Sequence, residues 1–325
     1  MFRSIYRLRS ALVGFMIITS GTIYAADPYP SQPIKMLVGT PAGGTTDVIA
    51  RMIASSMSKT LGQQIVVDNR PGASGLIAAE SVAKAQGDGY TLLMASSQLS
   101  TYTALYPANN FEAERDLDPV GLVATSPYVM VVHPSLPVNT FQELIAYAKS
   151  NPGEISYAGS APGTAQHLGW EIIKKKTGVD MRYIPYKGTA ALMPDLLAGR
   201  LQAGIDNIAI LTPYIKNGQL RGIAVTGPKQ SPLLPALPTI RASGVPDFVA
   251  MGWFGVFSSP RTNSLALSKL KSAVLTAMTT PEIRKKLAEM GSEPQSGSSN
   301  ELQVLLKQEI STWSKVIKDS GVTVQ

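Results

Sequence analysis

The chain has 325 residues, 44% of them hydrophobic and 16% charged, with a formal charge of +7 and no cysteine. Zero cysteines exclude disulfides, thiolate catalysis and cysteine-ligated metals. So small a net charge over this length gives no basis for nucleic-acid binding, and no apolar run reaches the roughly 20 residues that span a bilayer.

Residues 1–25 read as a targeting segment. Arg3, Arg7 and Arg9 precede an apolar stretch at 11–18, and the small residues Ala25 and Ala26 follow. Export to the periplasm is expected, with a mature chain starting near Ala26. Loss of those three arginines takes the charge from +7 to +4. About 300 residues are more than one core usually organises, so two domains are expected.

Residues 34–69 read as strand, glycine loop, helix and strand. The apolar run 34–38 is stopped by Pro41, Gly43 and Gly44. Ile49, Ile53, Met57 and Leu61 then recur every four residues, with Val48 and Met52 beside them, as one helical stripe. Thr45 or Thr46 can cap its start, and Gly62 can end it. Such a loop is either a tight βα turn or a site where helix N–H groups meet an anion. It has neither the GK[ST] ending of a nucleotide loop nor the G-x-G-x-x-G order of a dinucleotide fold.

The loop at 69–75 leads to an alanine-rich helix ending near Lys84, and GDGY turns the chain into a strand at 91–96. SSQLST follows that strand's end. Two apolar runs, 120–124 and 128–132, are split by Ser126 and Pro127, and the first crossing between domains is placed there. Thr140 and Glu143 form a capping box for a helix to 150. A strand at 155–158, the small-residue loop 159–164 and a helix at 165–176 repeat the first unit. Strands at 181–185, 201–206 and 220–226 alternate with helices at 189–197 and 209–217, which makes the class α/β. The last strand is read as the second crossing. A proline-rich linker precedes a strand at 248–257. Three helices then finish the chain, the last opened by Ser298 and Glu301; covering the first domain's sheet, they make that domain discontinuous. The boundaries read as 26–124 with 227–325, and 125–226.

His133 and His167 sit in no metal spacing and by no nucleophile elbow. His133 reads as structural. His167, in the first turn of its helix, can lean on an anion or hydrogen-bond the backbone. Asp47 reads as a cap, Lys174, Lys175 and Lys176 as a solvated helix end, and Lys187 as surface. Asp206 and Asn207 end a strand where open α/β sheets bind ligands: Asn207 can donate to an anion, whereas Asp206 repels one unless it holds the loop or a ligand ammonium. Trp170, Trp253 and Trp313 read as core.

Several motifs in order, YPSQPIKMLVGTPAGGTTDVIAR, LGQQIVVDNRPGASG, GDGYTLLMASS, ISYAGSAPGTAQHLGWE, IPYKGTAALMPDLLAGRLQAGIDN, LRGIAVTGPKQSPLLPALPTI and WFGVFSSP, run from about Tyr29 to the C terminus. On them the chain resembles the solute receptors of tripartite tricarboxylate transporters, the Bug or TctC-like family. The resemblance implies a periplasmic-binding-protein-like fold: two lobes, each a sheet sandwiched by helices, joined by two crossing strands and closing on a small carboxylate. It places Thr40, Pro41, Ala42, Gly43, Gly44 and Thr45 on one side of the ligand and Ser160, Ala161, Gly163 and Thr164 on the other. Ser97, Tyr186 and Asn207 are further lining candidates. Thr45 stands where many relatives carry a third glycine, where its side chain can cap the helix or narrow the pocket. The resemblance also implies a monomer that serves permease subunits of the TctA and TctB type, with no catalytic residue, metal or cofactor. A ligand-sensing receptor for a membrane kinase is the alternative, and an exported hydrolase is less favoured because neither histidine has a nucleophile beside it.

Overall fold

The structure, a computed structural model, describes residues 29–323; the targeting segment read at 1–25 lies outside the described residues. In chain order the first elements are β1 (Ile34–Val38), α1 (Thr45–Leu61), β2 (Ile65–Asn69), α2 (Leu76–Ala83), β3 (Thr91–Ser96), α3 (Tyr102–Leu105), α4 (Ala113–Asp116), β4 (Asp118–Val132) and α5 (Phe141–Ser150). There follow β5 (Ser156–Ala158), α6 (Ala165–Thr177), β6 (Arg182–Tyr183), α7 (Thr189–Leu197), β7 (Ala203–Asn207), α8 (Ile208–Lys216) and β8 (Arg221–Val225). The chain closes with β9 (Met251–Ser258), α9 (Ser264–Thr279), α10 (Pro281–Glu289), β10 (Glu293–Pro294) and α11 (Ser299–Ser320).

The two apolar runs read at 120–124 and 128–132 form one 15-residue strand, β4. Its first part pairs antiparallel with β9 as far as Pro127, and from Tyr128 onward it pairs with β7 and β8. Proline has no N–H to give a ladder, and Pro127 sits where one set of partners is exchanged for the other. The hydrogen-bonded order is β2-β1-β3-β9-β4-β7-β5-β6, with β8 and β10 also on β4. β4 thereby joins two lobes.

Each lobe buries apolar side chains on both faces of its sheet. In the first, Ile49, Ile53 and Met57 of α1 pack with Leu270 and Val274 of α9, while Leu76 and Val82 of α2 meet Leu302 and Leu306 of α11 on the other face. Each such side chain removed from water contributes about 1.5–3 kcal/mol. Val48 lies off the stripe and stays exposed. In the second lobe, Phe141, Leu168 and Trp170 fill one face, and Leu196, Ile208 and Leu211 fill the other.

Packing moves two of the expected seams. Ile240, Val245, Phe248 and Ala250 join the second lobe's core, and Val225 bridges to Thr239. The packing therefore changes lobe near Ala250, not at 227, because the proline-rich stretch folds back on β8 instead of crossing. β8 pairs only within the second lobe, so the return crossing is the entry to β9. A third connection was not foreseen: α11 places Leu302 and Leu306 in one lobe's core and Trp313 and Ile317 in the other's. At 22 residues and about 1.5 Å per residue, it is long enough to reach both.

Candidate functional site

The carboxyl ends of β1, β3, β5 and β7 face one cavity of about 170 Å³ between the lobes. This is where open α/β sheets place ligands. From the first lobe it is lined by Thr45 and Thr46 of α1 and by Ser96, Ser97 and Gln98 after β3. The second lobe contributes Ser160, Thr164, Ala165, Gln166, Thr189, Asp206 and Asn207, while Tyr128 of β4 and Trp253 of β9 line it from the crossing strands.

Helix starts dominate these walls. The first N–H groups of a helix have no partner within it, and α1 begins at N-cap Gly44 with no side-chain cap. Neither expected cap, Thr45 or Thr46, is used. Asp47 instead reaches back, its Oδ2 accepting from Gly43 N–H at 2.9 Å. Among the described residues, the N–H groups of Thr45 and Thr46 find no acceptor, and both residues line the cavity. Facing them, α6 is capped by Thr164 Oγ1, 3.5 Å from His167 N. The N–H groups of Ala165 and Gln166 likewise find no acceptor among the described residues. The cavity thus lies between the positive ends of two helix dipoles from opposite lobes.

The residues expected here divide. Thr45, Ser97, Ser160, Thr164 and Asn207 line the cavity. Ser160 does so at φ +47, a left-handed conformation that is costly for a residue with a Cβ. Thr40 lines a recess of about 10 Å³ beside it. Pro41, Ala42, Gly43 and Gly44 are absent from its wall; Gly43, at φ +83, makes the turn that sets α1. Gly163 N–H donates to His167 Nδ1 at 3.1 Å and Thr164 N–H to Ala161 O at 3.2 Å. Those two groups are spent holding the loop, and the unpaired N–H groups belong to the next two residues. Ala161 and Tyr186 border a separate, wider pocket of about 930 Å³, and the Tyr186 hydroxyl is taken by Asp195. Asn207 is engaged within the protein: its Oδ1 accepts from Ala209 N at 2.9 Å and its Nδ2 donates to Ser126 Oγ at 3.1 Å.

Of the two readings for His167, the structure selects the backbone hydrogen bond. Burial pushes its pKa down to about 4, with Glu171 opposing, so the ring is neutral and Nδ1 is the acceptor. Lys187 is exposed. Trp253 is buried as expected yet also lines the cavity. It, Tyr128, Gln98 and Thr189 are lining residues that sequence reasoning missed. The position of Gln98 just after a strand end was a usable signal, whereas Trp253 and Tyr128 reach the cleft only through strand pairing distant in sequence.

Among the described residues no cluster of histidine, aspartate or glutamate could hold a metal ion, and no helix is long and apolar enough to cross a membrane. A two-lobed α/β body with helix N-termini converging on an interlobe cavity defines a solute-binding protein. The chain belongs to the tripartite tricarboxylate transporter family of receptors, TctC, whose profile matches residues 49–322. It is 35% identical to BugT of Bordetella pertussis over 97% of this chain and 98% of that one. An R. palustris protein solved with adipate superposes with a TM-score of 0.80 at 37% identity, covering 91% of this chain and 100% of the other. MatC of Rhodopseudomonas palustris, with bound malate, gives 0.76 at 28% identity over 89% and 100%. The family is one of receptors, not of enzymes.

Proposed function

We propose that the protein captures a small carboxylate in the interlobe cavity and delivers it to a membrane permease of the TctA and TctB type, acting as a periplasmic monomer. The observation that carries this reading is the pairing of unsatisfied N–H groups, Thr45 and Thr46 against Ala165 and Gln166, around about 170 Å³. Adipate and malate in the two R. palustris relatives support the ligand class. A carboxylate taking these donors and nearby hydroxyls makes charge-assisted hydrogen bonds of about 1.5–3 kcal/mol each. Less immobilisation, five or six of them reach micromolar affinity, near −8 kcal/mol.

A melting-temperature panel tests it. C3 to C8 mono- and dicarboxylates are expected to stabilise the protein, by about 2.7 kcal/mol at 100 times Kd, while sugars, cations and phosphate esters leave it unchanged. Stabilisation by the latter groups alone would overturn the reading.

A further inference from the structure

Two aspartates hold helix starts in this protein, and their surroundings differ in one respect. Asp47 anchors the loop before α1 and is paired with Arg51 at 2.9 Å. Asp206 does comparable work in the second lobe. Its Oδ1 accepts from Asn207 N–H at 2.7 Å and its Oδ2 from the Thr189 hydroxyl at 2.7 Å, so it holds the starts of both α8 and α7. Yet Asp206 is only 2% exposed, and burial raises its pKa with no cation acting on it, only the Asn207 N–H and the Thr189 and Gln166 side chains. It is also the one charged side chain on the cavity wall among the described residues.

A carboxylate offers about four lone-pair positions; the hydrogen bonds from Asn207 and Thr189 use two and the Gln166 side chain a third. An ion kept buried without a counter-ion is costly, and capping alone is done as well by a neutral Asn or Ser. A second carboxylate brought against Asp206 would add like-charge repulsion. A ligand group with hydrogen to give would take the remaining position, and an ammonium would also supply a counter-charge.

We propose that Asp206 reads a hydrogen-bond donor on the ligand, so that the acid taken by the cleft carries a hydroxyl or ammonium group beside the carboxylate held between α1 and α6. This rests on the carboxylate-receptor reading and narrows its ligand class from plain alkanedioates to hydroxy or amino acids. Asp206 then acts as a specificity residue that complements the N–H groups: they donate to the ligand's carboxylate oxygens, and it accepts from the ligand's hydroxyl or ammonium.

Calorimetry on the full mature chain tests this with acids matched in length and differing at one carbon. The series are succinate, malate and aspartate at four carbons, and adipate, 2-hydroxyadipate and 2-aminoadipate at six. In at least one series, the hydroxy or amino acid is expected to bind ten-fold or more tightly than the plain acid. Which of the two is preferred tells hydroxyl from ammonium. In Asp206→Asn, which keeps the shape and one acceptor, that preference should fall to three-fold or less while the plain acid still binds. Should the variant fail to fold, the wild-type series still decides, since plain acids binding as tightly as their substituted partners would overturn the inference and leave the carboxylate reading standing. A preference undiminished in a folded Asp206→Asn would overturn it equally. Binding of none of the six acids by the folded protein would overturn this inference, and failure of every C3 to C8 carboxylate in the melting panel as well would sink the parent reading.

Discussion

Asp47 shows how one side chain sets the geometry of a site it does not line. Its Oδ2 accepts from Gly43 N–H and its Oδ1 from Asn69 Nδ2 at 2.9 Å, and Asn69 Nδ2 also donates to Thr40 O at 3.0 Å. The glycine loop is thereby tied to the end of β2, which fixes where the N–H groups of Thr45 and Thr46 point. Burial alone would raise this carboxyl, but hydrogen bonds from Arg51, Gly43 and Asn69 outweigh it and hold the pKa at about 2. A folded-state pKa below the unfolded one means that the stabilisation is present above the unfolded value of about 3.9 and is lost as pH falls toward 2. Asp47→Ala removes the hydrogen bonds from Gly43, Arg51 and Asn69 and is expected to cost about 2–3 kcal/mol, with ligand affinity falling alongside. In urea denaturation, the gap between wild type and Asp47→Ala should shrink as pH is lowered from 5 to 3; a constant gap would contradict an ionised anchor.

Among the elements, those whose determinants are local were legible in sequence. β1, β3 and α7 begin and end where the apolar runs and turn residues put them. Thr140 Oγ1 accepts from Glu143 N–H as the capping box requires, although Glu143 Oε2 returns to Asn139 N–H, one residue earlier than the motif has it. What could not be read was set by long-range pairing: the continuity of β4 through Pro127, the fold-back of residues 227–250, and α11 as a bridge. In the site the loops and their helix starts were legible. Which N–H groups remain free was not, since that depends on Asp47 and His167 consuming their neighbours. α11 also carries Glu309, whose Oε2 accepts from Trp253 Nε1 at 2.8 Å, with Ser100 Oγ at 3.1 Å. Burial raises its pKa to about 7 against those hydrogen bonds. Here the sign is opposite to Asp47: the folded-state pKa lies above the unfolded one, so stability is full below about 4.3 and is lost as pH rises through 7. Glu309→Gln removes the ionisation and keeps an acceptor for the indole. At pH 8 it is expected to be more stable than wild type by up to roughly 3 kcal/mol, with no advantage at pH 4.5. Parallel stability curves for the two proteins from pH 4.5 to 8 would refute this.

At the scale of the molecule, the number of connections limits how the lobes can move. Two crossing strands were expected; β4, the entry to β9 and α11 make three, and Trp253 and Glu309 join the last two through a hydrogen bond beside the cavity. A body held at three places can hinge about them, but free twisting or wide separation would unpair β4 from β9 or draw Trp313 and Ile317 out of a packed core, where burial is nearly complete. Loss of one large side chain from a core costs about 3–5 kcal/mol, so drawing out both Trp313 and Ile317 costs more than the gain from ligand even at 1,000 times Kd, about 4.1 kcal/mol. Ligand binding therefore has the energy to select among small hinge angles and not to break a connection. For a compact chain of about 300 residues the radius of gyration is about 19 Å. Small-angle scattering of the protein with saturating carboxylate should show a decrease of a few per cent of that value. Trp313→Ala, which loosens α11 from the second lobe, should enlarge the ligand-free radius and so widen the change on binding. An identical radius with and without ligand in both proteins would mean that the cleft is preformed and that α11 does not restrain it.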